Sequence, residues 1–275
     1  MLSRRSALGL AGAAAAGLVI GTAPRAAAHG TLVLRNEIWS QPTHYYNGSV
    51  DNNRTPTSFY YNPTTYAQAE EWFAYYYSQT PGSWLNPSHL WLNGVHVDKG
   101  GMHQYGRAID FQYVYMTISG SLQQAFNGNW TWWHTQPNAS VHRKRYWAFC
   151  ASLNYFFNPV LHYWFTPDRF SDAKDYSHQS HVHADDGASG PGVEPGFVAT
   201  STRTVQTYNV QSCLVYIWNI GLPRFGIDGS WGSETDGAVR LALSRIGRSG
   251  TITDISNYRA FLTESVRACT GGYIP

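Results

Sequence analysis

The chain has 275 residues, which is room for one large domain or two small ones. It carries 19 Lys and Arg against 17 Asp and Glu, and this near balance excludes the strongly basic patch or stripe of a nucleic-acid-binding protein. Its 11 Trp and 19 Tyr are more amphipathic rings than a core needs, which favours sugars or peptides as binding partners.

The first 28 residues are typical of an export signal. Residues 3–8, Ser-Arg-Arg-Ser-Ala-Leu, resemble a twin-arginine motif, a small apolar run continues to residue 20, and residues 26–28 fit an A-x-A cleavage pattern. The run is too short and too rich in Ala and Gly for a strong membrane span. We therefore expect a twin-arginine signal peptide over 1–28, a mature chain that starts near His29, and a secreted protein without a membrane anchor.

The mature chain mixes strand-like and helix-like stretches, so its expected fold class is α+β. Residues 108–115 alternate and are rich in strand formers, whereas residues 64–78 repeat aromatic and apolar side chains every three or four positions, as an amphipathic helix does. The remaining predictions for this half are strands over 31–34, 160–165 and 180–184, a helix over 143–158, a loop with turns over 79–102, and a polar, Trp-rich insertion over 117–138.

A Gly-, Pro- and Ser-rich stretch near residue 190 indicates a domain boundary. We expect one domain over 29–188, a linker over 189–202 and a second domain over 203–275. Helical spacing of apolar residues predicts three helices in the second domain, the middle one starting near Ser233 as a cap with Glu234 in its first turn.

The three cysteines have different expected roles. An exported chain permits disulfides, and Cys213 and Cys269 are the candidate pair because a bridge between them would staple a small three-helix unit. Cys150 lies in an apolar run and is expected to be a buried structural thiol.

Two short motifs supply ligands of the kind that zinc takes. The first offers His103 in a loop and Asp110 at the start of a strand, and the second offers His181 and His183. Residues two apart on a strand point to the same face, so both imidazoles of the second motif reach one site, one as a ligand and one beside it.

Residues 101–110, Gly-Met-His-Gln-Tyr-Gly-Arg-Ala-Ile-Asp, resemble the S-x-H-x-x-G-x-A-x-D motif of the D-Ala-D-Ala metallopeptidases. That superfamily also includes lysostaphin-type endopeptidases and hedgehog signalling domains. The resemblance implies zinc held by His103, Asp110 and His183, catalytic assistance from His181, and a small antiparallel sheet with packed helices.

The chain departs from this pattern in two places. Gly101 replaces the usual Ser, and the Glu-x-x-Trp-His form that supplies a Glu as general base is absent. Arg54 is the candidate to bind the substrate carboxylate, because family members often place an Arg well upstream of the motif. His178 is expected to be solvated or to act from behind a ligand. Asp185 and Asp186 are expected to lie in a strand-end turn, with one of the two orienting an imidazole.

The C-terminal half carries a second resemblance. Residues 228–235, Asp-Gly-Ser-Trp-Gly-Ser-Glu-Thr, followed by Ala238-Val239, are similar to the turn of a type 1 peptidoglycan-binding domain. This implies a small three-helix domain with peptidoglycan as its partner, which holds the enzyme at the cell wall without specifying what it cuts.

Together these features predict a secreted, monomeric zinc metallopeptidase that acts as a carboxypeptidase or endopeptidase on peptidoglycan peptides. One alternative is a catalytically inactive cell-wall binding protein, which would keep the aromatic surface and the C-terminal domain. Another is a copper oxygenase similar to lytic polysaccharide monooxygenases, in which an N-terminal His29 would bind the metal.

Overall fold

The structure is a computed structural model that describes residues 31–51, 55–98, 100–162, 178–187 and 195–275. Outside these residues lie the signal segment 1–28, His29, Arg54 and residues 189–194 of the predicted linker. Among the helices described, none is long and apolar enough to cross a membrane.

The fold is α+β, as expected, and its described part contains nine strands and six α-helices. The strands are β1 (Val33–Arg35), β2 (Glu37–Ile38), β3 (Gln41–Tyr45), β4 (Phe59–Tyr61), β5 (Trp84–Gly94), β6 (Ala108–Ile118), β7 (Ser121–Asn127), β8 (Val160–Leu161) and β9 (Val182–Asp185). The helices are α1 (Pro63–Ser78), α2 (Trp130–Trp133), α3 (Ala139–Asn154), α4 (Val205–Tyr216), α5 (Ser233–Arg245) and α6 (Ile255–Gly271).

The main sheet is larger than the predicted small antiparallel one, and it is mixed. Seven strands form it in the order β2-β3-β5-β6-β9-β8, with β7 also paired to β6, and the β3–β5 pairing is parallel. Only β1 and β4 form a small, separate antiparallel sheet. The long strand β6 is central because its first residues pair with β9 and its last residues pair with β7.

The prediction of loop over 79–102 is wrong, since β5 occupies residues 84–94. Its pairing with β6 is interrupted by several register shifts, which disturb the alternation on which a strand prediction depends. In addition, Leu90, Trp91 and Leu92 are all fully buried, so this part of the strand is covered on both faces. The Trp-rich insertion expected over 117–138 contains β7 and the short helix α2.

Two helices cover one face of the sheet. The Asn62 side chain accepts hydrogen bonds from the backbone N–H groups at the start of α1, which therefore begins at Pro63. Trp72 on α1 is fully buried, with its ring centroid 4.8 Å from that of Phe111 on β6 and 5.4 Å from that of Phe149 on α3. Its truncation to Ala would cost about 3–5 kcal/mol.

The three predicted C-terminal helices are present, and two of them, α4 and α6, pack directly on α3. The Asn154 side chain at the end of α3 donates to that of Asn209 on α4 at 3.2 Å. Trp147 on α3 lies 5.7 Å from Tyr208 on α4 between ring centroids. Apolar residues of both halves therefore belong to one continuous core, while the domain boundaries at 188 and 203 stay predictions.

Two smaller predictions about this half need correction. The residue that caps α5 is Gly232 rather than Ser233, and no side chain bonds to the helix start there, although Glu234 does lie in the first turn. Cys213 and Cys269 are free thiols rather than a bridged pair. The thiol of Cys213 instead points at the Trp147 carbonyl, 3.7 Å away, inside the core, while Cys150 is a buried thiol as predicted.

Candidate metal centre

Strand pairing brings the two halves of the predicted site together. Asp110 on β6 lies directly opposite His183 on β9 in the antiparallel register, and Nδ1 of His183 is 2.8 Å from Oδ1 of Asp110. Nε2 of His103 lies 3.2 Å from Oδ2 of Asp110 and 3.2 Å from Nδ1 of His183. Each of the three side chains is less than a tenth exposed, and together they form a group able to hold a metal ion.

His103 is positioned by one turn of 3₁₀ helix, Met102–Tyr105, which ends at Gly106. Gly106 has φ +64°, and a Cβ there would lie 2.8 Å from the backbone nitrogen of Asn62. Glycine is therefore required at this position both by its conformation and by the close approach of the chain before α1. This explains why a glycine follows His103 by three residues in the motif.

Outer hydrogen bonds aim one nitrogen of each histidine at the centre. The carbonyl of Val95 only accepts, so the His103 nitrogen that faces it, Nδ1, carries a proton, and Nε2 is the atom that faces the centre. Nε2 of His183 donates to Oδ2 of Asp185 at 2.8 Å, which leaves Nδ1 as the atom that faces Asp110. Ligand histidines in metalloproteins are commonly fixed by such carbonyl and carboxylate partners.

The donor set fits zinc in number, chemistry and spacing. Two imidazole nitrogens and one carboxylate are three protein ligands, the number that leaves a catalytic zinc one open position. Donors about 2.1 Å from a tetrahedral ion lie about 3.4 Å apart. The separations of 2.8–3.2 Å between Asp110, His103 and His183 need to open only by roughly half an ångström or less to meet this geometry.

The charges at the centre are coupled. Burial by itself would raise the pKa of Asp110, but hydrogen bonds from His103 and His183 outweigh it and hold that pKa far below its usual range. Burial would lower the pKa of His183, but its hydrogen bonds to Asp110 and Asp185 outweigh that effect and raise the pKa to about 9. A metal ion at Nδ1 of His183 would take the place of the proton between the imidazole and Asp110.

His181 lies beside the three ligands rather than among them. Its Nε2 is 3.7 Å from Oδ1 of Asp110, and its Nδ1 is 3.2 Å from the side-chain nitrogen of Asn93 and 3.3 Å from the hydroxyl of Ser180. Because an amide nitrogen donates, Nδ1 of His181 accepts and Nε2 carries the proton. The imidazole therefore presents an N–H group towards the centre.

A buried ion pair supports the strand end behind the ligands. Asp186 is 1% exposed and accepts hydrogen bonds from Arg107 at 2.6 Å and from the Thr65 hydroxyl at 2.8 Å. Arg107 belongs to the His103 motif, and Thr65 lies in the first turn of α1. This contact ties α1, the motif and the end of β9 together.

The structure brings His103, Asp110, His181 and His183 into one cluster, as the sequence predicted, while Arg54 lies outside the described residues. His178, expected to be solvated, is buried with its ring centroid 5.6 Å from that of His183.

Sequence reasoning missed Asn93 because β5 was taken for loop. Asp185 orients an imidazole as expected, but it does so from the strand itself. The sequence signal available for the role of Asp185 was the alternation of His181, His183 and Asp185, because residues two apart along a strand point to the same face.

Comparisons of the chain with protein-family models, with curated proteins and with solved structures gave no match.

Proposed function

We propose that this protein is a secreted, zinc-dependent peptidase that hydrolyses amide bonds in peptidoglycan peptides, as a carboxypeptidase or an endopeptidase. The observation that carries the proposal is the convergence of donor atoms from His103, Asp110 and His183. Nε2 of His103 and Nδ1 of His183 lie 3.2 Å apart, and each lies within 3.2 Å of one of the two carboxylate oxygens of Asp110. The Val95 carbonyl and the Asp185 carboxylate select the nitrogens that face inward. Two histidines that only packed in the core would not require outer hydrogen bonds that turn one nitrogen of each ring towards a shared carboxylate.

Zinc bound there would supply a water of lowered pKa and would polarise the scissile carbonyl. The chain's own contribution beside it is His181, whose Nε2–H points to the centre from a ring held by Asn93 and Ser180. In this tautomer the imidazole donates a hydrogen bond to the oxyanion that develops as the carbonyl is attacked.

Asp110 would serve the site in a second way. Because its pKa lies far below the usual range, Asp110 is ionised at neutral pH and would neutralise part of the metal's charge. Two neutral imidazoles and one carboxylate leave the zinc centre with a net charge of about +1, which favours attack on a neutral amide over the binding of a strong anion.

Peptidoglycan is proposed as the substrate because of the C-terminal turn. The side chain of Gln211 accepts from the backbone nitrogens of Asp228 and Gly229, at 3.0 and 2.7 Å, and Gly229 has φ +78°. Trp231 packs against Phe197 with ring centroids 4.8 Å apart. The residues of this turn that match the peptidoglycan-binding pattern therefore serve folding. Peptidoglycan as the binding partner is supported by the sequence similarity alone.

The function is tested by incubating the full-length mature chain with defined muropeptides, with and without a chelator, and identifying the products by mass spectrometry. We expect a chelator-sensitive hydrolysis that His103→Ala and His183→Ala abolish together with zinc binding. The matched control is His134→Ala, which removes an exposed histidine elsewhere.

Three outcomes would overturn the proposal. Cleavage by His103→Ala at the rate of the unmodified protein would remove the centre from the reaction. Oxidised sugar products with copper and a reductant would support the oxygenase hypothesis based on His29. Wall binding without any product would identify an inactive binding protein.

A further inference from the structure

A groove of about 490 Å³ runs along one face of α6, outside the metal centre. The α6 residues that line it are spaced by three or four positions, so they form a single stripe along the helix. The lining residues that matter here are Tyr155, Arg248, Ser256, Arg259, Thr263 and Arg267. None of them belongs to β6 or β9, which carry the metal centre.

The groove is positively charged. Three of its lining residues are arginines, and Glu264 is the single acid among them. The Glu264 carboxylate already accepts a hydrogen bond from the Tyr273 hydroxyl at 2.5 Å. The nearby Asp254 is exposed and is used to cap the backbone N–H groups at the start of α6.

Two of the arginines donate hydrogen bonds to neutral side chains, and Arg248 also faces the charge of the Asp254 carboxylate. Nε of Arg267 donates to the Gln79 side chain at 2.7 Å, and Arg248 donates to the side chains of Ser256 and Asn257 at 3.3 Å. Their guanidinium groups are exposed and keep further N–H donors for a ligand. The fork of a guanidinium matches phosphate oxygens in particular.

The positive charges repeat along the groove. Arg259 and Arg267 are eight residues apart on α6, which places them about 12 Å apart along the helix axis. Arg248 extends the row beyond the start of the helix. A ligand with one negative group can bind only one arginine at a time, whereas a ligand with several negative groups along its length can bind all three arginines.

The groove does not offer a surface on which nucleic-acid bases stack. Its one aromatic ring, Tyr155, is stacked by Tyr75 at a centroid distance of 4.5 Å, and the guanidinium of Arg259 lies over it at 4.7 Å. Proteins that bind single-stranded nucleic acids present open aromatic faces to successive bases. The groove therefore complements the negative charge of a phosphodiester chain but provides no aromatic surface on which bases could stack.

We propose that the α6 groove binds a linear phosphodiester polymer that lacks bases, with three phosphates of the chain on Arg248, Arg259 and Arg267. This site is separate from the metal centre, so binding there would hold the protein on a polyanionic surface while the metal centre stays free. The proposal does not depend on the peptidase reaction.

The test is a fluorescence-polarisation titration of the full-length mature protein with a labelled oligomer of glycerol phosphate. We expect saturable binding, with log K falling against log salt concentration at a slope of about −2 for three phosphate contacts. Arg259→Gln and Arg267→Gln should each weaken binding about fivefold, and the double variant about 25-fold. Arg259→Lys, which keeps the charge but loses the fork, should bind more tightly than Arg259→Gln and less tightly than the unmodified protein.

The matched control is Arg240→Gln, which removes an arginine that is paired with Asp236 on α5 and lies outside the groove. It should bind as the unmodified protein does, and so should His103→Ala, which separates this proposal from the peptidase. Equal loss of binding in Arg240→Gln and the double variant, or tighter binding of a single-stranded oligonucleotide or of polyglutamate with the same number of charges, would overturn the proposal. Melting temperatures of all variants identify any that fail to fold.

Discussion

Removal of the Asp185 carboxylate should weaken zinc binding without removing a ligand. Oδ2 of Asp185 accepts from Nε2 of His183 at 2.8 Å, and Oδ1 accepts from the backbone nitrogen of Gly187 at 2.7 Å. In Asp185→Ala both bonds are lost, so the His183 ring is free to turn and its Nδ1 becomes a poorer electron donor. Loss of such an outer partner typically lowers metal affinity 10- to 100-fold, which is about 1.4–2.8 kcal/mol.

The assay is competition for zinc against a chromophoric chelator at neutral pH. Asp185→Asn keeps an acceptor oxygen of the same shape, so its loss of affinity should be smaller than that of Asp185→Ala. Asp186→Asn is the contrast, because that carboxylate bonds to Arg107 and Thr65 and not to a ligand. It should lower thermal stability while leaving zinc affinity nearly unchanged. An Asp185→Ala variant with undiminished affinity would refute the assigned orientation of His183.

Three further predictions address the frame of the site. Gly106→Ala should destabilise the fold by about 1–3 kcal/mol in urea unfolding, because it combines a left-handed backbone with a backbone clash, whereas Gly82→Ala, in open space, should not. The pKa of His89 is lowered to about 4 by burial and by the nearby charge of His44, so the unfolded state binds more protons between pH 6.5 and 4. The free energy of unfolding should therefore fall as the pH falls through that window, and its pH dependence should be weaker in His89→Gln. The same pH dependence in both proteins would contradict this. Asn93→Ala should reduce kcat by about tenfold or more with zinc affinity intact, and equal loss of both would argue against its role in orienting a catalytic imidazole.

The ligands were predictable from sequence because their chemistry is local. His103 and Asp110 are seven residues apart in one motif, and alternation on a strand places His181 and His183 on one face. What the sequence could not supply was the pairing that sets Asp110 opposite His183, because that depends on strand register across more than 70 residues.

The strands with irregular pairing were the hardest to predict. β5 has bulges and a stretch buried on both faces, so neither alternation nor polarity marks it as a strand. With β5 taken for loop, neither the mixed sheet nor the contact of Asn93 with His181 could be foreseen. The unpaired state of Cys213 and Cys269 was missed for a related reason, since thiol orientation depends on how the C-terminal helices pack on α3.

The most direct measurement is an anomalous difference map, recorded at the zinc absorption edge, from crystals of the zinc-loaded protein. We expect one strong peak within about 2.0–2.2 Å of Nε2 of His103, Nδ1 of His183 and a carboxylate oxygen of Asp110. No peak at that point while zinc is bound elsewhere, or a peak held by other side chains, would contradict the assignment of these three residues as the zinc ligands.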